Sequence, residues 1–115
     1  MDVWQPVANC VEKEEAYFIE VELPGVSLDE TDVELSGNKL VVSGLREAGS
    51  DNIGLVGAFS KNERTTGRFE RSFELPSDSE TDDVAASMEN GLLIIKIAKQ
   101  QRNRTRVKVA IKPGS

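Results

Sequence analysis

Apolar and polar residues alternate along much of the chain, with the period of two that is typical of half-buried strands. One such stretch covers residues 16–23 and stops at a Pro-Gly pair, which is a strong turn signal. Another covers residues 68–75, ends at Pro76 and carries Arg71 inside an otherwise apolar row. No long stretch has a helical period, so the chain is predicted to be all-β.

Two of the predicted elements are hairpins with two-residue turns. In the first hairpin, residues 33–35 and 40–42 form the two strands and Gly37-Asn38 forms the turn. In the second, residues 84–88 and 92–97 form the strands and Asn90-Gly91 forms the turn. Gly and Asn tolerate the positive φ that tight hairpin turns require. About seven short strands separated by turn signals predict an antiparallel β-sandwich.

Two segments do not fit this strand pattern. Residues 47–67 are long and irregular but contain an apolar patch at residues 55–59, which needs a place to be buried. Residues 99–106 are polar and rich in arginine, yet they are followed by a short strand-like alternation. The chain is therefore divided into a short N-terminal arm (residues 1–7), a sandwich domain (residues 8–98) and a flexible C-terminal extension (residues 99–115).

Length and composition narrow the classes of function. The chain has 115 residues, 38% of them hydrophobic, which fits one domain with its own core. It has no histidine, so Ser-His-Asp and Cys-His catalysis and histidine zinc sites are excluded. With no glycine-rich phosphate loop either, we expect neither an enzyme nor a cofactor. No apolar run is long enough to span a membrane and no signal peptide is evident, so we expect a cytoplasmic protein.

The single cysteine, Cys10, cannot form an intramolecular disulfide. Because its neighbours are small or apolar, we expect it to be a buried hydrophobic residue.

Charge is divided unevenly between the domain and the extension. The net charge is −6, and residues 99–115 carry six basic residues and no acid, which leaves −12 on residues 1–98. A basic extension can bind nucleic acid or a second acidic domain of the same kind. We favour the second partner because the extension alternates its charges with Val and Ile and has no base-stacking aromatic residues.

Three stretches, in this order, resemble the small heat-shock protein (alpha-crystallin) family in its bacterial and plant branch. They are WQPVANCVEKEEAYFIEVELPGV, GRFERSFELP and ASMENGLLIIKIAK, and a Val/Ile-x-Val/Ile motif follows them in the extension. The resemblance implies an immunoglobulin-like sandwich that forms homodimers and sometimes larger oligomers. It also implies an ATP-independent chaperone, or holdase, that binds unfolding proteins and prevents their aggregation, with no nucleic-acid or membrane partner.

The resemblance also implies where such a protein makes its contacts. The extension motif docks into a groove between two strands of a neighbouring sandwich, through residues 107 and 109 or through residues 109 and 111. An apolar strand from the long irregular segment pairs with residues 8–12 of the dimer partner, and Arg71 forms ion pairs nearby. The alternatives are that the patch folds back on its own domain, that the extension does the same or is disordered, and that Arg71 is exposed to water on an edge strand. The motif consists of Val107, Val109 and Ile111, the groove of Val33, Leu35, Val84, Ala86 and Met88, and the exchanged patch of Leu55, Val56 and Phe59.

Leu92 and Ile94 share one face of a predicted strand, so they are a candidate client-binding surface, with packing inside the dimer or core as the alternative. A co-chaperone-like module that binds one folded partner is the alternative function. The acidic residues 78–83 could in principle serve a carboxylate enzyme or a calcium site, but we expect them to be a solvated loop.

Overall fold

The strand pattern produces two stacked antiparallel sheets in the computed structural model, which describes residues 4–47, 65–100 and 109–114. One sheet has the order β1-β2-β7-β6 and the other β3-β4-β5, so the predicted antiparallel β-sandwich is confirmed. In chain order the elements are β1 (Ala8–Glu12), β2 (Ala16–Glu22), a 3-10 turn (Leu28–Glu30), β3 (Thr31–Ser36), β4 (Lys39–Arg46), β5 (Gly67–Glu74), β6 (Ser79–Glu89) and β7 (Leu92–Lys99).

The core lies between the sheets, where alternate residues of each strand point inward. On β7, every second residue from Leu93 to Ile97 is buried, while the residues between them face the other side. These residues pair with the alternating residues of β2, such as Val21 with Leu93 and Ile19 with Ile95. The core members are Trp4, Ile19, Val21, Leu23, Val26, Leu40, Val42, Phe69, Leu75, Leu93, Ile95 and Ile97.

Both predicted hairpins form in the expected registers. Ser36 pairs with Lys39, and Glu89 pairs with Leu92, so each turn has two residues. Asn90 and Gly91 both have positive φ values, 54° and 76°, as a type I′ turn requires.

Two expectations are corrected. Residues 79–83 belong to β6 and are not a loop. Asp78, in the preceding turn, accepts a hydrogen bond from the Tyr17 hydroxyl at 2.6 Å, and the described residues contain no cluster of His, Cys, Asp or Glu that could hold a metal. Cys10 is exposed and not buried, because β1 is an edge strand of its sheet.

The described part of the chain contains no helix that is long and apolar enough to cross a membrane.

Candidate functional site: the open edges of the sandwich

Among the described residues, each of the two sheets ends in two edge strands, so the sandwich has a pair of edges on each side. Strands β1 and β5 line one common cleft, so they lie on the same side. Strands β3 and β6 are the opposite edges of the two sheets, and they therefore run along the other side. We call these features the β1–β5 cleft and the β3–β6 groove.

The five residues that the resemblance assigned to the docking groove lie on the two strands β3 and β6. Val33 and Leu35 on β3, and Val84 and Met88 on β6, are half-buried and pack against the core. Ala86 lies between Val84 and Met88 on the same inward face of β6, yet it is exposed. An inward-facing residue that is open to solvent shows that the described part of the chain does not cover the sandwich at this point.

The two residues of the extension motif that the structure describes are not buried against their own domain. Val109 is 78% exposed and Ile111 is 95% exposed, while Val107 lies outside the described residues. Single exposed apolar side chains are common on protein surfaces. Here, however, they alternate along a segment whose other residues are polar or small, so docking into the groove of another copy stays a prediction.

The β1–β5 cleft has a volume of about 470 Å³. Cys10 on β1, Ile19 on β2 and Phe73 on β5 all line it. Because β1 pairs only with β2 among the described strands, the other edge of its backbone is open to a further strand. The expected partner strand, with Leu55, Val56 and Phe59, lies outside the described residues.

Arg71 on β5 is half-buried. Its Nη1 atom donates a hydrogen bond to the backbone oxygen of Pro6 at 2.6 Å, and its guanidinium lies 5.2 Å from the centre of the Phe73 ring. This explains how a cation fits in an apolar row. The ion pair that the resemblance implies for the dimer interface stays a prediction.

Leu92 and Ile94 lie on the outer face of β7, so they are not core residues. Both are half-buried. Across the sheet Leu92 is opposite Glu22 and Glu89, and Ile94 is opposite Glu20. The pair is thus a small apolar patch surrounded by carboxylates.

Four side chains fix the position where the C-terminal extension leaves the sandwich. Lys99 forms an ion pair with Glu12 at 2.7 Å, and its ammonium lies 4.9 Å from the centre of the Tyr17 ring. The hydrogen bond from Tyr17 to Asp78 is the main cause that raises the pKa of Tyr17 to about 12. The extension therefore begins at a defined point beside the edge strand β1.

The profile of the Hsp20/alpha crystallin family matches residues 9–112. The chain belongs to this family. It is 33% identical to small heat shock protein C4 of Rickettsia felis over 104 residues, which cover 90% of this chain and 63% of that protein. It is 38% identical to a 16.9 kDa class I heat shock protein of Triticum aestivum over 98 residues, which cover 84% of this chain and 64% of that protein. The chain thus spans a little under two thirds of the length of these relatives.

Solved structures of the Hsp20/alpha crystallin family have the same fold. A small heat-shock protein from Xylella fastidiosa, described as having a distinct high order structure, superposes with a TM-score of 0.79 at 28% identity and covers 97% of this chain and 98% of its own. Heat shock protein 16.0 from Schizosaccharomyces pombe superposes with a TM-score of 0.77 at 29% identity and covers 95% and 76%. Members of the family are generally chaperones and not enzymes.

One buried cation of this family member was not found by the sequence analysis. Arg46 is 9% exposed, donates hydrogen bonds to the backbone oxygens of Thr65 and Pro24, and lies 3.8 Å from the centre of the Trp4 ring. A sequence signal did exist. Arg46 falls two positions beyond Gly44 on the inward face of β4, where a charged side chain needs buried partners.

Proposed function

We propose that this chain is an ATP-independent chaperone that binds unfolding proteins and prevents their aggregation. Membership of the Hsp20/alpha crystallin family supports a chaperone in general terms. The observation that carries the finer proposal is the exposed inward face of the β3–β6 groove at Ala86. A permanently filled sandwich edge would offer no apolar surface to a client.

The proposed mechanism uses weak, reversible contacts. An unfolding protein exposes apolar segments and unpaired strand edges, which drive its aggregation. The groove, with the Leu92 and Ile94 patch as a second contact, binds such segments. The net charge of −12 on residues 1–98 keeps the resulting complexes apart by repulsion.

We propose two contacts between copies of the chain. Residues 55–61 of one copy add a strand to the free edge of β1 in its partner, beside Arg71, which closes an exposed sheet edge. The extension of a neighbouring dimer places its motif in the β3–β6 groove. Its basic residues then lie near exposed acids of the groove's two strands, such as Glu34 and Asp83.

The docked extension should bind loosely. Burial of each apolar side chain gains roughly 1.5–3 kcal/mol, whereas association costs an estimated ~4–15 kcal/mol of lost freedom. One extension alone therefore barely binds, but several extensions in one assembly act together through their effective concentration. The extension consequently leaves the groove each time copies exchange, and the vacant groove is then available to clients.

Light scattering from a heat-aggregating test protein, without nucleotide, tests the proposed activity. We expect suppression at near-stoichiometric amounts of the chain. Two adjacent alanines give a matched pair of variants, because Ala86 and Ala85 are both exposed but lie on opposite faces of β6. Ala86→Glu places a charge in the groove and should reduce suppression, whereas Ala85→Glu should leave it unchanged. No suppression by the folded wild-type chain would contradict the proposal and favour a module that binds a folded partner.

We further propose that the protein acts in the cytoplasm. Localisation of a tagged full-length protein in its own cells would test this.

A further inference from the structure

Residues 4–7, which we call the edge strap, lie across the free edge of β5. The backbone N–H of Trp4 donates a hydrogen bond to the backbone oxygen of Arg68 at 3.0 Å, and the indole Nε1 donates to the oxygen of Gly67 at 3.2 Å. Trp4 is 9% exposed and Pro6 is fully buried, while Gln5 between them is exposed. The strap therefore fills two buried positions that are two residues apart.

Each of these two positions has its own set of contacts. The Trp4 ring lies between the Arg46 guanidinium, 3.8 Å from its centre, and the Phe69 ring, with centroids 5.4 Å apart. The backbone oxygen of Pro6 accepts the hydrogen bond from Arg71 at 2.6 Å. The site thus recognises an extended backbone that carries an aromatic ring and, two residues later, an available carbonyl.

The site does not depend on the strap for its shape. Arg46 also binds the backbone oxygens of Thr65 and Pro24, which are not part of the strap. Phe69 belongs to the core cluster, most of whose other members lie on β2, β4 and β7. If the strap leaves, Trp4 is lost from the core cluster, whereas Arg46 keeps its bonds to Thr65 and Pro24 and the other core residues stay between the two sheets.

The strap itself is held by few backbone bonds. One connects Trp4 to β5, and the other joins the Val7 oxygen to the Glu22 amide on β2 at 2.9 Å. Pro6 has no N–H to add to a ladder, and Val7 is 64% exposed. The two buried residues, Trp4 and Pro6, therefore hold the strap more than its backbone bonds do, and local opening of a single segment takes less free energy than unfolding of the whole domain.

We propose that the edge strap is a displaceable plug, and that the vacated site on β5 binds an extended segment of an unfolding protein with an aromatic residue in the Trp4 position. The strap defines the chemistry of this occupant, because it shows which backbone and ring groups the site accepts. The inference rests on the proposed chaperone function. It adds a second client-binding edge on the side of the sandwich opposite the β3–β6 groove.

A labelled peptide that copies residues 2–9 tests whether the site accepts such a segment. The variant Trp4→Ala/Pro6→Ala removes the two buried side chains of the strap, and so weakens its hold on β5, but keeps Arg46, Phe69 and Arg71. The matched variant Gln5→Ala/Val7→Ala changes two exposed residues of the same strap. We expect the peptide to bind the first variant roughly tenfold more tightly, or better, than the wild-type chain, because apparent affinity scales with the fraction of vacant sites.

The matched variant should bind the peptide like the wild-type chain. A peptide with alanine in place of its Trp and Pro should bind none of the three proteins. Equal binding of both peptides, or equal affinity of the first variant and the wild-type chain, would overturn the inference.

A second measurement uses the wild-type chain alone, so it does not depend on the folding of a variant. Trp4 is the only tryptophan, and its quenching by acrylamide reports the exposure of the strap. We expect quenching to rise at a lower temperature than the loss of β-structure followed by circular dichroism. The unlabelled peptide should then reduce suppression of client aggregation, whereas its alanine version should not.

The outcomes separate the two proposals. Suppression of aggregation without early exposure of Trp4, or without competition by the peptide, contradicts the strap inference alone. Absence of suppression, with the peptide still bound by the emptied site, contradicts the chaperone function. Exposure of Trp4 that decreases as chain concentration rises would assign the site to the strap of a second copy and would overturn binding of a client there.

Discussion

Replacement of the two exposed apolar residues of the extension should shrink any assembly larger than a dimer. We consider the variant Val109→Ser/Ile111→Ser, with Ala110→Ser as its matched control. All three positions are exposed in the described structure, so none of the changes should affect the stability of the sandwich. Only Val109 and Ile111 alternate on the face that the groove is proposed to bind.

The expected magnitude follows from the exposure of the two side chains. At 78% and 95% exposed, they have nearly all of their surface left to bury on docking. Burial would contribute roughly 1.5–3 kcal/mol each, or about 3–6 kcal/mol together. Since about 1.4 kcal/mol corresponds to a tenfold change in affinity, loss of both weakens each docked contact on the order of a hundredfold to ten-thousandfold.

Light scattering coupled to size-exclusion chromatography, over a range of concentrations, measures the effect. The wild-type chain and Ala110→Ser should have the same mass profile, and the double variant should fall to the mass of a dimer. The single variants Val107→Ser and Ile111→Ser then decide which register docks, because only residues of the docked register should matter. If the double variant has the mass profile of the wild-type chain, the extension does not hold copies together and the docking proposal is wrong.

Three further predictions concern packing, pH and salt. Gly44→Ala should lower the free energy of unfolding by ~1–3 kcal/mol, because the added Cβ would overlap the backbone oxygen of Glu30 and the Phe69 ring. Thermal unfolding measures this loss. Gly114→Ala, whose Cβ meets no other atom, is the neutral control. Tyr17 has its pKa raised from 10.0 to about 12 through its bond to Asp78, so its contribution to stability is present below pH 10 and is lost between pH 10 and 12. Unfolding by denaturant at several pH values in that range should show this loss of unfolding free energy in the wild-type chain and a flatter dependence on pH in Tyr17→Phe. Equal pH dependence in the two proteins would refute the prediction. An increase of salt from about 0.1 M to 1 M shortens the screening length from ~10 Å to ~3 Å. The mass of the assembly should therefore fall if the basic extension binds the acidic domain. A constant mass would mean that apolar contacts alone hold the copies together.

The sequence predicts those parts of the fold that local rules control. Alternation fixes which side of a strand is buried, as in β2 and β7, because a shift of one residue would expose the whole core face. The turns Gly37-Asn38 and Asn90-Gly91 fix the registers of their hairpins through backbone geometry. Both signals lie within about ten residues of the structure that they specify.

Features that depend on distant partners could not be predicted in the same way. The strap contacts residues more than sixty positions away, such as Trp4 with Gly67, and no local pattern encodes that pairing. Cys10 is exposed because of the order of the strands in its sheet, which its neighbours in sequence do not determine. The first half of β6 is rich in acids and lacks alternation, yet Ser79 is held there by pairing with Lys99 across an irregular register.

The edges of the sandwich explain why reversible contacts matter to a protein of this kind. Strands β1, β3, β5 and β6 are edge strands of the two sheets built from the described residues, and exposed edges promote aggregation unless they are covered. A permanent cover would prevent aggregation of the chain itself but would also exclude every client. In the arrangement that we propose, a short segment such as the strap or the extension of another copy covers an edge with few contacts, so that a client segment in excess displaces it. If this proposal is right, assembly and client binding compete for the same groove, and variants that weaken docking of the extension should bind clients at lower temperature than the wild-type chain.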